Sequence, residues 1–419
     1  MTAGARRVQR VYLVLLLLHT LAASFIWGIN TLFLLDAGLT NTEAFAANAC
    51  FTAGLVLFEI PTGVMADVRG RRLSYLLGTL ILMLTTLAYL GLWVRPSPFW
   101  AWAVASALLG LGFTFFSGAV QAWLVDALKA SGFTGSLEPV FAKGEIVEGV
   151  AMLSGSVAGG YVAQLSNLGA PYVMRAIALA GSLALAWHLM HDTGFSPRRT
   201  GSLWQEATET VKSGLRYGLL NPAARWVMLA SAFIDGVSMY GFYAMQPYLL
   251  ELYGDPTAYG IAGLAAAIVG GAQIGGGLLL PRLARIVRRR SSLLLAAAGA
   301  ATLALLLIGL FPGFWIAISL LVAWGLIFAL VMPVRQAYLN ELIPSEQRAT
   351  VLSFDSLLGS AGGVGAQPAL GRVADVWGYP ASYAWSSVIQ VIAVPLLALA
   401  RRQNAAADRI ETPSTVGAP

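Results

Sequence analysis

Four carboxylates interrupt apolar stretches of this chain and are its best candidates for chemistry: Asp235, Glu59, Glu148 and Asp355. An ionisable side chain within an apolar segment of membrane length is costly, so it marks a candidate functional site. A carboxylate removed from water can bind and release a proton near neutral pH. Asp235 is the leading candidate because it lies about ten residues into its segment, close to mid-depth. A static ion pair or hydrogen bond is the alternative.

Two arginines share this apolar environment. Arg335 lies at a depth similar to that of Glu59 and Asp355, and these three could form either an inner charge network or a purely structural triad. Arg175 lies near the end of its segment and is expected to extend its charge toward the membrane surface. Glu148 lies near the start of a predicted helix, so compensation of the helix dipole is an alternative to proton coupling there.

Long apolar segments must position these residues. Of the 419 residues, 58% are hydrophobic and 11% are charged, whereas a soluble domain carries about a quarter charged residues. This composition excludes a soluble enzyme, and runs of roughly 18 or more apolar residues indicate membrane-spanning helices. The sequence predicts an all-α polytopic membrane protein with twelve transmembrane helices, near residues 11–35, 42–66, 73–94, 99–126, 143–165, 170–190, 225–250, 257–281, 291–311, 314–340, 349–374 and 380–400.

The basic residues orient this arrangement. If both termini are cytoplasmic, 22 of the 26 Lys and Arg residues fall in cytoplasmic segments, as the positive-inside rule requires. Short basic clusters between apolar spans suit lipid headgroups, so no nucleic-acid partner is expected. The single cysteine, Cys50, excludes an intramolecular disulfide.

The chain is predicted to divide at its longest polar interruption. An N-terminal six-helix bundle covers 1–190, a cytoplasmic linker with an amphipathic helix at Leu203–Leu220 covers 191–224, a C-terminal six-helix bundle covers 225–402, and a disordered tail covers 403–419. The two halves resemble each other at an offset of 215 residues. Gln121 is then equivalent to Gln336, which indicates two pseudo-symmetric halves of the kind that transporters use.

A glycine- and arginine-rich loop follows the second predicted span. It resembles the loop signature G-x-L-A-D-R-x-G-R-R of the major facilitator superfamily, although Val68 stands where a basic residue is usual. The matching residues are Gly63, Ala66, Asp67, Gly70, Arg71 and Arg72. The resemblance implies a gate that latches the cytoplasmic side, with Asp126 as the expected partner of Arg71 and Asp67 able to cap a helix. An ordinary cluster of cytoplasmic cations is the alternative.

Within that superfamily the chain is nearest in character to the bacterial drug–proton antiporters, with two departures. Gly155–Gly160 resembles their motif G-P-x-x-G-G, but Ser156 replaces the proline. The fourth span lacks the membrane-embedded arginine that these antiporters carry. Both departures weaken the antiporter assignment without affecting the transporter assignment.

The expected function is secondary transport of a small amphipathic or drug-like solute by alternating access, as proton-coupled efflux from a monomer in the cell inner membrane. Proton-coupled uptake of a small metabolite is the alternative, followed by a transporter-like receptor. The partners are then the solute, protons and the lipid bilayer, without a cofactor or metal ion. Candidate cavity residues are aromatic, amide, Met or Arg side chains, although aromatic residues could equally pack in the core or face lipid: Trp27, Asn30, Phe113, Gln121, Met239, Tyr240, Tyr243, Gln246, Trp324, Phe328, Arg335 and Gln336.

Overall fold

The computed structural model describes residues 1–197 and 203–410, with side chains throughout these ranges except at 203–207, 274–286, 346 and 349. These described residues form fifteen α-helices and no β-strand. The helices are α1 Ala3–Trp27, α2 Asn30–Asp36, α3 Asn41–Arg69, α4 Arg71–Val94, α5 Phe99–Thr114, α6 Ala119–Ala130, α7 Glu138–Leu165, α8 Ala170–Leu189, α9 Leu203–Ser213, α10 Pro222–Tyr253, α11 Tyr259–Ile286, α12 Arg290–Leu310, α13 Phe314–Leu342, α14 Arg348–Val391 and α15 Ala393–Arg402.

Ten helical segments of the described chain are long and apolar enough to cross a membrane. The last of them, Thr350–Arg402, has 53 residues, whereas about 20 residues suffice for one crossing. Within it Gly378 has φ 81° and ψ 170°, which are not helical angles, so α14 consists of two helices joined at a kink. The ten do not include α11, of which the side chains are described only at Tyr259–Gln273, an apolar stretch. The chain is therefore an all-helical, multi-pass membrane protein.

Two predicted spans are interrupted in the structure. The span predicted at 11–35 breaks at Gly28 and Ile29, between α1 and α2. The span predicted at 99–126 breaks between α5 and α6, where Gly118 has φ 66°, a conformation that glycine adopts without steric cost. Broken helices inside a membrane are tolerated where the freed backbone lies in protein or lines a cavity.

The helices form two compact units. Unit 1 comprises Met1–Glu206 and Gly254–Ala267, and unit 2 comprises Ala207–Tyr253 and Ile268–Pro419. In unit 1, α3 and α5 approach so closely that a Cβ on Gly110 would lie 2.9 Å from the backbone nitrogen of Leu55. Close approach through small residues stabilises helix pairs in lipid, where no hydrophobic force acts between helices.

In unit 2, α10 and α14 make the corresponding close contact. A Cβ on Gly236 would lie 2.6 Å from the carbonyl carbon of Gly362, so the two backbones cross without side chains between them. This crossing sets the separation of the acidic residues that the same two helices carry.

The linker and the tail differ in part from the sequence expectations. In the predicted linker, α9 is followed by a π-helical turn at Gly214–Leu219, while residues 198–202 lie outside the described part of the chain. The tail was expected to be disordered, but its residues 403–410 contain a short 3₁₀ helix, Ala406–Asp408, and Asp408 is buried. Residues 411–419 lie outside the described part.

Candidate functional site

Unit 1 contains a cavity of about 470 Å³ at the break between α5 and α6. Four residues predicted from the sequence line it: Glu59 from α3, Phe113 from α5, Gln121 from α6 and Glu148 from α7. Its remaining lining residues are Leu15, Leu16, His19, Leu55, Tyr75, Phe116, Ser117, Gly118 and Val120. The cavity therefore combines two carboxylates with an aromatic and aliphatic wall.

The His19 ring is held inside this cavity by aromatic neighbours. It lies 4.0 Å from the Phe116 ring and 5.9 Å from the Phe113 ring, measured between centroids. The helix break places both phenylalanines on the cavity side, at the last turn of α5 and in the residues that follow it. The sequence pointed to Phe113 as a cavity residue but not to Tyr75, which also lines the cavity. The only sign of Tyr75 in the sequence is a tyrosine within an apolar span.

The signature loop is held differently from the expectation. Arg71 forms an ion pair with Asp67, four residues earlier. The described residues include no ion pair between Arg71 and Asp126, the partner expected from the sequence. The helix that follows the loop is capped by Asp192, whose carboxylate accepts a hydrogen bond of 2.9 Å from the Arg72 backbone N–H. The sequence did not point to this capping role of Asp192, although an acidic residue directly after a long apolar span was a usable signal.

In unit 2 one guanidinium joins two carboxylates. Arg335 of α13 lies 2.9 Å from Asp235 of α10 and 3.0 Å from Asp355 of α14. The Asp355 carboxylate is also 3.3 Å from the Ser231 hydroxyl. The side chains of Arg335 and Asp355 are 6% and 5% exposed, and that of Asp235 is 14% exposed. We refer to Arg335, Asp235 and Asp355 as the charge triad.

The charge triad revises the grouping that the sequence indicated. Sequence reasoning placed Arg335 with Asp355 and Glu59, and it treated Asp235 separately. In the structure Asp235 is the second carboxylate on Arg335, while Glu59 belongs to unit 1 and lines the cavity there. With all three groups ionised the charge triad carries one net negative charge, which a single proton would neutralise.

Arg175 was expected to reach the membrane surface, and this expectation is wrong. The residue is only 1% exposed. Its Nε donates to the Thr86 hydroxyl and one terminal nitrogen donates to the Ala22 carbonyl, both at 2.9 Å. The other terminal nitrogen is buried without a hydrogen-bond partner, and the guanidinium lies 5.7 Å from the Phe113 ring centroid. The arginine is retained inside because neighbouring helices supply oxygen acceptors at its depth.

The other predicted cavity residues occupy varied positions. In unit 1, Asn30 is buried at the break between α1 and α2, where it hydrogen-bonds Asn48 and Tyr172, and Trp27 is half-buried. In unit 2, Tyr240 donates to the Ser382 hydroxyl at 2.6 Å. The other predicted cavity residues of unit 2 differ in exposure. Gln246 and Trp324 are buried, Met239, Tyr243 and Phe328 are half-buried, and Gln336 is exposed.

Comparison with known proteins identifies the family. A family model described as Major Facilitator Superfamily matches residues 12–366. The fold is similar to the crystal structure of the nucleoside transporter NupG, with a TM-score of 0.75, 14% sequence identity, and coverage of 94% of this chain and 99% of that one. It is also similar to a POT family transporter solved with a thioalcohol-conjugated peptide, with a TM-score of 0.72, 12% identity, and coverage of 95% and 96%.

A further similar structure is a POT family transporter in complex with 5-aminolevulinic acid, with a TM-score of 0.71, 13% identity, and coverage of 95% of this chain and 96% of that one. A search of curated protein sequences gives no significant match. At these identities the solved structures establish the fold, and the family model establishes the family. The chain therefore belongs to the Major Facilitator Superfamily, and it is a multi-pass membrane transporter rather than an enzyme.

Proposed function

We propose that this protein is a proton-coupled secondary transporter that exports a small amphipathic organic solute from the cytoplasm. In this proposal twelve spans form two six-helix bundles in the cell inner membrane, both termini are cytoplasmic, and a monomer works by alternating access. The observation that carries the proposal is the presence of two carboxylates on one buried guanidinium in unit 2.

The charge triad supports proton coupling through its charge balance. A buried arginine is neutralised by one carboxylate, so the second carboxylate leaves an uncompensated negative charge at low dielectric. Binding of one proton removes that charge, and its release restores it. Asp235 is the proposed carrier because its side chain is 14% exposed, against 5% for Asp355. Asp355 then remains the permanent partner of Arg335.

The unit 1 cavity supports the choice of solute. Glu59 and Glu148 supply negative charge, while Phe113, Phe116 and several leucines supply an apolar wall. A carboxylate attracts an organic ammonium group, and aromatic faces add cation–π attraction within about 6 Å. An amphipathic solute with one positive charge therefore matches the lining. The signature loop, where Arg71 pairs with Asp67, is the proposed gate on the cytoplasmic side.

Proton-coupled uptake of a small metabolite is the second candidate. Two of the similar solved structures are a nucleoside transporter and a peptide-binding POT family transporter, and Gln121 adds an amide to the cavity lining. Nucleosides and peptides need such polar groups. Uptake would reverse the direction of solute movement, although it would use the same charge triad.

The test measures proton release from energised everted membrane vesicles. Vesicles that contain the full chain are acidified by respiration, a pH-sensitive dye reports the internal proton concentration, and a panel of amphipathic cations is added. The variants are Asp235→Asn and, as a matched control, Asp255→Asn, because Asp255 is exposed in the connection between α10 and α11. We expect solute-dependent proton release from the wild type and the control, and none from Asp235→Asn.

Each other outcome reassigns a part of the proposal. Proton release that survives Asp235→Asn would refute Asp235 as the carrier and would direct attention to Glu59 and Glu148. If no member of the panel releases protons but a radiolabelled nucleoside or peptide accumulates in intact cells in response to a proton gradient, uptake replaces efflux. Direct binding of the cations to purified Glu148→Gln, compared with wild type, tests the solute site independently of coupling.

A further inference from the structure

The chain that leaves α8 in unit 1 turns back onto the signature loop. Asp192 accepts the Arg72 backbone N–H at 2.9 Å, which caps the N-terminus of α4. Gly70, the residue before that helix, has φ 107°, and a Cβ there would collide with the Asp192 carboxylate. Two features therefore favour glycine at position 70: its φ is positive, and the Asp192 carboxylate occupies the space that a Cβ would need.

Further contacts hold the same turn. The carbonyl of His191, the residue before Asp192, accepts a hydrogen bond of 2.8 Å from the Trp123 indole. The Arg72 side chain donates to the Trp187 carbonyl at 2.7 Å, and its guanidinium lies 5.4 Å from the Trp187 ring centroid. The segment after α8 is therefore fixed to both α4 and α6 of its own unit.

The chain that leaves α15 in unit 2 repeats this arrangement. Asp408 accepts both the backbone N–H of Ser291, at 2.7 Å, and its hydroxyl, at 2.8 Å, and so caps the N-terminus of α12. The carbonyl of Ala407, again the residue before the aspartate, accepts a bond of 2.6 Å from Arg290. Asp408 is only 3% exposed, and Ile410 donates to the Arg288 carbonyl at 3.0 Å.

The two aspartates occupy equivalent places in the internal repeat. Asp408 follows Asp192 by 216 residues, and the halves align through Gln121 and Gln336 at an offset of 215. In each half the aspartate follows the last α-helix, α8 or α15, and caps a helix that begins at an arginine, Arg71 or Arg290 respectively. In each half the carbonyl before the aspartate also accepts a hydrogen bond, from Trp123 of α6 in unit 1 and from Arg290 of the capped helix itself in unit 2.

We propose that Asp192 and Asp408 are equivalent positioning residues, each of which fastens the chain leaving its half to the loop before the capped helix of that half. Asp192 holds the start of the 191–224 linker against the signature loop and keeps the Arg71 and Arg72 region in register. Asp408 holds the C-terminal segment against the 287–289 loop. The proposal rests on the fold and its repeat, and it is independent of the solute and of proton coupling.

The test is limited trypsin digestion of the purified full chain in detergent, because each fastening protects its own cleavage sites. Trypsin can cleave after Arg71 and Arg72, at the helix start that Asp192 caps, and after Arg409, which follows Asp408. We expect Asp192→Ala to raise the rate of cleavage at Arg71 and Arg72 about fivefold, because loss of a capping side chain shifts a local opening equilibrium. The rate at Arg409 should stay unchanged. Asp408→Ala should accelerate cleavage at Arg409 and leave the rate at Arg71 and Arg72 unchanged. The intact mass of each fragment identifies the site of cleavage.

The control separates positioning from a general loss of stability. Thr40 and Glu43 form a capping box at the N-terminus of α3 in unit 1, so Glu43→Ala removes a cap of the same kind away from both loops. We expect Glu43→Ala to lower the melting temperature without changing either cleavage rate. Asparagine is as good a helix cap as aspartate, so Asp192→Asn and Asp408→Asn should restore slow cleavage.

The proposal is overturned if either alanine variant accelerates both cleavages equally, or if Glu43→Ala does the same at a similar melting temperature. It is also overturned if the two alanine variants digest like the wild type. If an alanine variant does not fold, Trp123→Phe in unit 1 and Arg290→Gln in unit 2 decide instead, because each removes a hydrogen bond to the residue before the aspartate. Cleavage that is accelerated only at the variant's own site supports the fastening, and uniform acceleration or none refutes it.

Discussion

Removal of the guanidinium from the charge triad is the sharpest stability test in unit 2. Arg335→Gln leaves Asp235 and Asp355 facing each other, with 14% and 5% of their side chains exposed. Removal of one partner of a buried ion pair costs about 3–5 kcal/mol, because the remaining charge is uncompensated. Protonation of one carboxylate relieves part of that cost, so we expect a loss of about 3 kcal/mol for Arg335→Gln.

The same structure predicts a much smaller effect for Asp235→Asn. Arg335 keeps Asp355 at 3.0 Å in that variant, and the new amide oxygen can still accept a hydrogen bond. We expect a loss of less than about 1 kcal/mol, the net value of one hydrogen bond. The double variant Arg335→Gln/Asp355→Asn has only one buried carboxylate, so it should recover at least half of the Arg335→Gln loss.

Thermal unfolding of the purified full chain, followed by intrinsic fluorescence in one detergent at pH 7, compares the four proteins. A loss of about 3 kcal/mol corresponds to a fall of roughly 6–12 °C for a unit of this size. The reasoning is refuted if Asp235→Asn falls as far as Arg335→Gln, or if the double variant shows no recovery. Either result would mean that Arg335 stabilises unit 2 through packing rather than through charge.

Three further predictions address other contacts. Gly54→Val should lower stability by about 1–3 kcal/mol, because a Cβ on Gly54 collides with the α5 backbone. The control Gly181→Val should leave the melting temperature nearly unchanged, because no atom lies within 4 Å of a Cβ there. Arg175→Met should change stability by less than about 1 kcal/mol, because among the described residues no carboxylate pairs with Arg175 and one of its buried nitrogens has no hydrogen-bond partner. A large fall in melting temperature would contradict this. Gly70→Ala should cost about 1–2 kcal/mol through its positive φ, whereas the control Gly63→Ala should be tolerated.

The sequence predicted the features that depend on local composition. Apolar runs of membrane length, with few charges inside them, leave a helix as the simplest way to satisfy every backbone hydrogen bond in lipid. The loop from Gly63 to Arg72 pointed to the superfamily, and the family model confirms this assignment. Phe113 and Gln121, which the sequence offered as cavity residues, line one cavity together with Glu59 and Glu148, which it offered as proton carriers.

The features that failed to emerge from the sequence depend on partners distant in the chain. The position of Arg175 near the end of its span suggested that its charge extends to the membrane surface. Its hydrogen bonds go instead to oxygen atoms of Thr86 and Ala22, which precede it by 89 and 153 residues in the sequence. Asp235 and Asp355 are separated by 120 residues of sequence, so their common attachment to Arg335 required the close crossing of α10 and α14 through Gly236 and other small residues.

The sequence alone determined that this chain is a helical, multi-pass membrane transporter, because hydropathy, positive charge and a short loop motif are properties of contiguous residues. Only the tertiary structure decided which charges neutralise each other, where helices break around a cavity, and that Asp192 and Asp408 fasten each half at equivalent places. Electrostatic and hydrogen-bond energies fall steeply with distance. They are therefore fixed by helix crossings a few ångströms apart, which residue order does not specify.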